Sequence, residues 1–184
     1  MRKAIVLSLI IIIAIISSCK NQQECPAFDR NLLVWAPYEK NDTIKFENNK
    51  NDTINFIISE KTIYDHKGIY KNGCFSECSV YCVDNGKEFN YKIHNYCDDC
   101  IQFSLNIFLN NKSGSFSLDT DKLNDNIINE TAIDNKKYTN VIIIKTDTIK
   151  YPNLSHFWKI IIAKNKGVVK FYDRIDNETW TLIE

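Results

Sequence analysis

The chain has 184 residues, and its 23 basic and 23 acidic side chains give a formal net charge of zero. This balance excludes the strongly positive surface by which proteins bind nucleic acid. Hydrophobic residues make up 44% of the chain and aromatic residues 12%, which is enough for a core and excludes wholesale disorder.

The first eighteen residues have the layout of an export signal. Two basic residues, Arg2 and Lys3, are followed by the apolar run 4–16 and then by small residues. The run is shorter than the roughly 20 residues that a lasting transmembrane helix needs. The next residues, Ile16-Ser17-Ser18-Cys19, resemble the lipobox of bacterial lipoproteins, in which an aliphatic residue and two small residues precede a cysteine.

The resemblance implies that residues 1–18 are removed and that Cys19 receives a diacylglyceryl group, with palmitate-type chains that insert into membrane lipid. Two or three acyl chains anchor durably, because each buried methylene contributes about 0.8 kcal/mol. Residues 19–30 are expected to form the anchor and a polar tether, and 31–184 a single domain. Lys20 stands where an Asp would resemble an inner-membrane retention signal. We therefore expect an outer-membrane location, with the domain periplasmic or surface-exposed.

Beyond the tether, the sequence predicts short strands separated by clusters of Asn, Asp, Gly and Lys. The predicted strands are Thr43–Glu47, Thr53–Ile58, Val80–Asp84, Glu88–Tyr96, Ile101–Leu109, Ser115–Leu118, Val141–Lys145, Trp158–Ala163, Val168–Tyr172 and Thr179–Ile183. The stretch Asp119–Lys137 predicts a long loop or one short helix. Because strands and helices do not alternate, the expected fold is an all-β antiparallel sandwich or partly open barrel.

A short internal repeat supports the strand prediction. Asn41–Phe46 reads Asn-Asp-Thr-Ile-Lys-Phe, and Asn51–Phe56 reads Asn-Asp-Thr-Ile-Asn-Phe. Asn and Asp favour turns, whereas Thr and Ile favour strands, so each copy is typical of a strand opening after a turn. The Asp-Thr-Ile segment also resembles an O-glycosylation acceptor that some bacteria use on exported proteins.

Six cysteines remain when Cys19 is set aside: Cys25, Cys74, Cys78, Cys82, Cys97 and Cys100. An even number in an exported chain predicts a disulfide framework. In an extended strand, the spacing of four places Cys74, Cys78 and Cys82 on one face, with neighbours about 13 Å apart. This separation is too large for them to bond with one another, so each is expected to pair with one of the other three.

A hairpin turn at Asn85-Gly86 predicts which cysteines pair. Both residues tolerate the positive φ of a two-residue turn, which would pair Asp84 with Lys87. Continuing this register places Cys74 opposite Cys97, so we predict a bridge between them. The remaining bridges would then join Cys78 and Cys82 to Cys25 and Cys100.

Two other uses of the cysteines are possible on sequence grounds. Soft ligands for zinc or an iron–sulfur cluster are available at Cys74, Cys78, Cys82, His94, Cys97 and Cys100. Cys97-Asp98-Asp99-Cys100 has the spacing of a redox motif, but it lacks a βαβ context. Oxidising surroundings favour bridges over both, so neither a metal nor another cofactor is expected.

Catalytic patterns are absent from the sequence. His66, His94 and His156 are far apart and form no Ser-His-Asp or zinc-protease pattern. Five glycines leave little room for a phosphate-binding loop. The segment Lys159–Leu182, with a glycine turn followed by Val-x-Phe and Trp-x-Leu, resembles the ending of small Bacteroidetes lipoproteins of unassigned function. This resemblance implies an exported β-rich domain and carries no residue roles.

We therefore expect a cell-envelope lipoprotein that is not an enzyme and acts as a binding or structural module. Its expected partners are membrane lipid and an envelope protein. One alternative is an inhibitor or immunity-type lipoprotein that blocks a hydrolase. The other is a metal or redox protein built on the cysteine cluster.

Overall fold

The computed structural model describes residues 27–65, 75–84, 86–96, 100–120, 123–146 and 155–183. Within them the chain is all-β, apart from two 3-10 segments at Arg30–Trp35 and Leu123–Asn126. The strands are β1 (Thr43–Asn48), β2 (Thr53–Ile57), β3 (Glu60–Tyr64), β4 (Ser76–Asp84), β5 (Lys87–Asn95), β6 (Ile101–Leu109), β7 (Lys112–Thr120), β8 (Ile128–Ile133), β9 (Lys136–Lys145), β10 (Phe157–Ala163), β11 (Gly167–Asp173) and β12 (Glu178–Ile183). No helix of these ranges has the length and apolar character to cross a membrane.

The strands form two antiparallel sheets. The seven-stranded sheet has the order β2-β1-β12-β11-β10-β9-β8, and the five-stranded sheet has the order β3-β4-β5-β6-β7. The five-stranded sheet is a simple meander, because every neighbour in space is also a neighbour in sequence. The seven-stranded sheet combines the first two strands of the chain with the last five, and β1 pairs with β12.

Alternating side chains explain why the sheets pack face to face. In β5, Phe89, Tyr91 and Ile93 are fully buried and alternate with polar residues. The inward side chains of both sheets belong to one cluster, in which Phe56 of β2 meets Phe89 at a ring-centroid distance of 5.6 Å. Each such side chain contributes about 1.5–3 kcal/mol when buried, so the shared core holds the sandwich together.

The seven-stranded sheet also has an apolar cluster on its outward side. Its buried members are Ile133, Tyr138, Val141, Ile161, Ala163 and Val169. Lys170 is only 8% exposed, and its ammonium bonds both carboxylate oxygens of Asp134, at 2.9 and 2.7 Å. The ammonium of Lys159 lies 4.6 Å from the ring centroid of Tyr172. We call this surface the lysine-covered face, because lysine stems and tyrosine rings lie over aliphatic residues.

The predicted fold class is confirmed as all-β with two antiparallel sheets, and each of the ten predicted strands overlaps an observed one. Two strands, β3 and β8, were not predicted. The prediction of a loop or one short helix over 119–137 is wrong for residues 128–137, because β8 and the start of β9 form a hairpin in this part. The only helical segment described in the predicted range is the 3-10 segment Leu123–Asn126. Both β8 and β3 are edge strands of their sheets. An edge strand has a neighbouring strand on one side only, so it can form with a weaker alternation of hydrophobic and polar residues.

The internal repeat opens strands, as its turn chemistry predicted. Thr43 begins β1 and Thr53 begins β2. The residues two positions earlier, Asn41 and Asn51, have φ values of 75° and 67°. Asparagine tolerates this left-handed conformation better than most residues, which explains why it recurs there.

The folded part of the chain already includes Phe28, inside the range assigned to the tether. Phe28 is 3% exposed, and its N–H donates to Asp65 Oδ1 at 2.8 Å. Trp35 and Tyr38 follow it into the core, where Trp35 packs edge-on against Phe103 at 6.1 Å. The N-terminal segment therefore packs against the sandwich from Phe28 onward.

The β4–β5 hairpin has the register that the sequence predicted. Asp84 pairs with Lys87, and the register continues without a shift to Ser76 and Asn95. Cys74 and Cys97, the next pair that the sequence predicted to bond, lie outside the described residues, as does Cys25. The Cys74–Cys97 bridge therefore stays a prediction.

The predicted bridges of Cys78 and Cys82 are wrong. Both are free thiols and fully buried. They share the inward face of β4, as their spacing predicted, but their strand neighbours there are apolar: Ile93 beside Cys78 and Phe89 beside Cys82. They behave as small hydrophobic core residues, so a framework of three bridges that uses both of them does not form.

Candidate functional site

The outward side of the five-stranded sheet carries polar and aromatic side chains in three rows that cross all five strands. We call it the polar face. The rows are Glu60–Tyr81–Asn90–Asn106–Ser115, Thr62–Ser79–Lys92–Ser104–Ser117 and Tyr64–Glu77–His94–Gln102–Asp119. None of these fifteen side chains is aliphatic. Because strands lie about 4.8 Å apart, each row presents a hydrogen-bonding group or a ring at that interval.

A depression of about 330 Å³ lies on this face where β3, β4 and β5 meet. Its lining residues are Glu60, Thr62, Tyr64, Glu77, Ser79, Tyr81, Asn90 and Lys92. Small-molecule sites in proteins measure about 300–1,000 Å³, so the depression has room for one small ligand or one unit of a polymer.

Glu77 is the electrostatic centre of the polar face. Its carboxylate lies 3.3 Å from Lys92 Nζ and 3.2 Å from His94 Nδ1, and its side chain is only 11% exposed. Burial lowers the pKa of His94 below its ordinary value, although the neighbouring Glu77 carboxylate acts in the opposite direction. The imidazole is therefore neutral at neutral pH, and Glu77 is paired chiefly with Lys92.

One buried polar atom of the depression, Asn90 Oδ1, has no hydrogen-bond partner. His94 Nδ1 makes no well-aligned hydrogen bond, but it lies 3.2 Å from the Glu77 carboxylate. An unpaired buried acceptor costs about 1–3 kcal/mol, so such atoms are uncommon in a folded protein. Because Asn90 Oδ1 bonds no protein group, turning this oxygen toward the depression breaks no hydrogen bond at that atom.

Aromatic rings border the third row. His94 stacks on Tyr96, with ring centroids 5.5 Å apart and planes inclined by 11°. The hydroxyl of Tyr96 donates to Gln102 Oε1 at 2.8 Å, and Gln102 Nε2 donates to Asp119 Oδ1 at 2.5 Å. These contacts hold the side chains of this border in one arrangement.

The structure separates the residues that the sequence proposed as a metal site. Cys78 and Cys82 point into the core, whereas His94 lies on the polar face of the same sheet. Burial raises the pKa of the Cys78 thiol to about 11, which disfavours the thiolate that metal binding needs. Cys100 precedes β6, and its carbonyl accepts the N–H of Tyr96 at 3.0 Å. It is not among the free thiols of the described residues.

A group of three carboxylates lies elsewhere, at the β11–β12 turn. Ligand atoms of Asp173, Asp176 and Glu178 all lie within 4.8 Å of one another. Lys112 Nζ contacts Asp173 at 2.8 Å, Glu178 at 3.8 Å and also Asp176. Burial alone would lower the pKa of Lys112, but hydrogen bonds to Asp173 and Asp176 raise it overall. A protonated lysine thus offsets part of the negative charge of the group and ties β7 of one sheet to β11 of the other.

The histidines do not form a catalytic group in the described part of the chain. The N–H of His156 donates to the carbonyl of Ser113 at 2.8 Å and so joins the start of β10 to β7. His94 lies on the polar face, and His66 lies outside the described residues.

No protein-family model, curated protein or solved structure matches the chain. The residues themselves therefore carry the functional argument. The sequence did not identify the polar face, since its rows depend on the register of five strands, one of which was not predicted. The available signal was the alternation of Ser, Asn and Lys with buried residues along β4 to β7.

Proposed function

We propose that the protein is a membrane-anchored lipoprotein of the cell envelope that acts as a non-enzymatic binding module, with the polar face as its recognition surface. The export signal and the lipobox cysteine Cys19 support the anchor. The three polar rows carry the binding proposal, since recognition needs accessible groups that the core does not use.

The tether is short enough to hold the domain close to its membrane. Eight residues lie between Cys19 and Phe28, the first core residue that the structure describes. At about 3.3–3.6 Å per residue, the nine steps from Cys19 to Phe28 span no more than about 32 Å. The polar face would therefore meet ligands that lie within the envelope layer next to the lipid.

Palmitate labelling tests the anchor. Cells expressing the full-length chain are fed an alkyne analogue of palmitate, and incorporation is compared among the wild type, Cys19→Ser and Cys25→Ser. We expect label in the wild type and in the C25S control but not in C19S. Label that persists in C19S would contradict the lipoprotein assignment.

Photocrosslinking tests the recognition surface. A benzophenone amino acid replaces Ser117, an exposed residue of the polar face, or Thr139, an exposed residue of β9 in the other sheet. Irradiation of intact cells is expected to give an adduct of higher mass only from position 117. Equal yields from both positions, or an adduct from 139 alone, would exclude the polar face as the recognition surface.

A further inference from the structure

We infer that the depression on the polar face binds a pyranose unit of an uncharged glycan. The inference rests on the proposed function, because it concerns the ligand of the same surface. It is carried by the side chains that line the depression, by the spacing of the rows and by the charge of the face.

The lining has the groups that bind a sugar ring. The carboxylate of Glu60, one oxygen of which accepts from Thr62 Oγ1, and the amide of Asn90 are planar groups that can bond neighbouring hydroxyls, and Lys92 holds the Glu77 carboxylate beside them. Asn90 Oδ1 is buried without a partner, so a rotation of the amide that brings this oxygen to the surface of the depression lets it accept from a sugar hydroxyl. Two aromatic residues, Tyr64 and Tyr81, offer flat apolar surfaces to the C–H groups of a pyranose, together with a hydroxyl each.

The rows extend this chemistry beyond the depression. From Ser79 and Lys92 in the depression, the second row continues across β6 and β7 through Ser104 and Ser117. The strand interval of about 4.8 Å is close to the length of one pyranose ring. A glycan lying across the strands therefore meets the hydroxyls of Ser104 and Ser117 at its successive units.

The charge of the face selects against other polymers. Among the fifteen residues of the rows, the carboxylates of Glu60, Glu77 and Asp119 outnumber the ammonium of Lys92 by three to one, which leaves a net charge of −2. This charge disfavours nucleic acid, phosphorylated lipid headgroups and acidic glycans. The three rows contain no aliphatic side chain, and the neighbouring row on the same side adds Val83 and Phe108 at its border, so the face as a whole offers little apolar surface to acyl chains or to the centre of a protein interface.

Affinity electrophoresis tests the inference. The full-length protein in detergent micelles is run in native gels that contain one of three neutral polymers, hydroxyethyl cellulose, galactomannan or dextran, or the acidic polymer polygalacturonate. We expect at least one neutral polymer to retard the protein and polygalacturonate to leave its mobility unchanged. Mobility unchanged by all three neutral polymers, or retarded only by polygalacturonate, would overturn the inference.

A matched pair of variants locates the binding. Asn90→Ala is expected to weaken retardation at least tenfold, whereas Asn55→Ala, on β2 of the other sheet, is expected to leave it unchanged. Asn90→Ala leaves no donor of the protein without its acceptor, because the oxygen that it removes has no partner, and a Tm equal to that of the wild type checks that the variant folds. Equal retardation of both variants would place the glycan elsewhere and refute the site.

The aromatic contribution is tested separately. Tyr81→Phe keeps the ring and should retain most of the binding, whereas Tyr81→Ala should lose it. An equal loss in both variants would contradict stacking on the ring.

If no neutral polymer binds but position 117 still crosslinks in cells, the polar face recognises another class of ligand. If both experiments are negative, the recognition surface itself is refuted.

Discussion

The two sheets share one core, but their outward faces differ. The lysine-covered face of the seven-stranded sheet buries Val141 and Val169 completely, beneath longer side chains such as Lys170. The polar face of the five-stranded sheet has no aliphatic member in its three rows and retains an unpaired polar atom at Asn90. One face buries aliphatic side chains, whereas the rows of the other face consist of polar and aromatic side chains, which we propose bind a ligand. Substitutions on the two faces should therefore change the free energy of unfolding by different amounts.

Placing a charge on each face gives the largest expected difference. Val141→Asp buries an unpaired carboxylate and should lower the free energy of unfolding by at least about 4 kcal/mol. Ser104→Asp, on the polar face, should change it by less than about 0.5 kcal/mol. Denaturation by urea, followed by tryptophan fluorescence, measures both. Similar losses for the two variants would show that the faces do not differ as described.

Lys112→Met should have the next largest effect, because it removes the ammonium from three carboxylates. The side chain of Asp173 is fully buried and would lose its ionic partner, so we expect a loss of about 2–3 kcal/mol. The matched control is Lys137→Met. Lys137 pairs with Glu130 at the surface, with both side chains more than half exposed, and its loss should cost less than about 0.5 kcal/mol. Equal Tm shifts would contradict the role of Lys112 between the sheets.

Two substitutions of Lys170 separate its stem from its charge. Lys170→Met keeps most of the stem over the apolar cluster, while the Asp134 carboxylate, 54% exposed, becomes solvated. Lys170→Ala removes both and should be less stable than the Met variant by about 1–2 kcal/mol. Thermal unfolding at fixed pH compares the two. If the Met variant is as unstable as the Ala variant, the ion pair rather than the stem stabilises this face.

The smallest expected effect is a pH dependence from His94. Because burial lowers the pKa of His94 in the folded protein, the unfolded chain binds the proton more readily. Its contribution to stability is complete above about pH 6.5 and falls as the pH drops below that value toward the folded pKa. Between pH 7.5 and 5.5, His94→Gln should lose less stability than the wild type, by under about 1 kcal/mol. His156→Gln is the control, and an identical slope in H94Q and wild type would refute the contribution.

The sequence predicted strands where apolar residues alternate strongly, and it predicted register where a turn is well defined. Asn85-Gly86 correctly paired β4 with β5, since turn geometry fixes the pairing of the flanking residues. Edge strand β3 escaped prediction because Glu60-Lys61-Thr62-Ile63-Tyr64 contains one aliphatic residue. Because β3 was not predicted, the depression could not be predicted either, since β3 contributes Glu60, Thr62 and Tyr64 to its lining.

The cysteines show a different limit. Their spacing correctly placed Cys78 and Cys82 on one face of β4, but it gave no information about what lies opposite. Inward residues of the second sheet and of the N-terminal segment fill that space, so the thiols have apolar neighbours. The even number of cysteines and the expected export therefore predicted bridges for Cys78 and Cys82 that the packing around these two thiols prevents.

The pairing of β1 with β12 has a consequence for folding. The five-stranded meander uses the continuous stretch 60–120, so its strands can pair locally as the chain emerges. The β1–β2 hairpin instead gains its sheet neighbour only from residues 178–183. Long-range pairing is slow, because the chain must first close a large loop. We therefore expect the meander to form early, and the hairpin to remain an unprotected edge until the last strand docks.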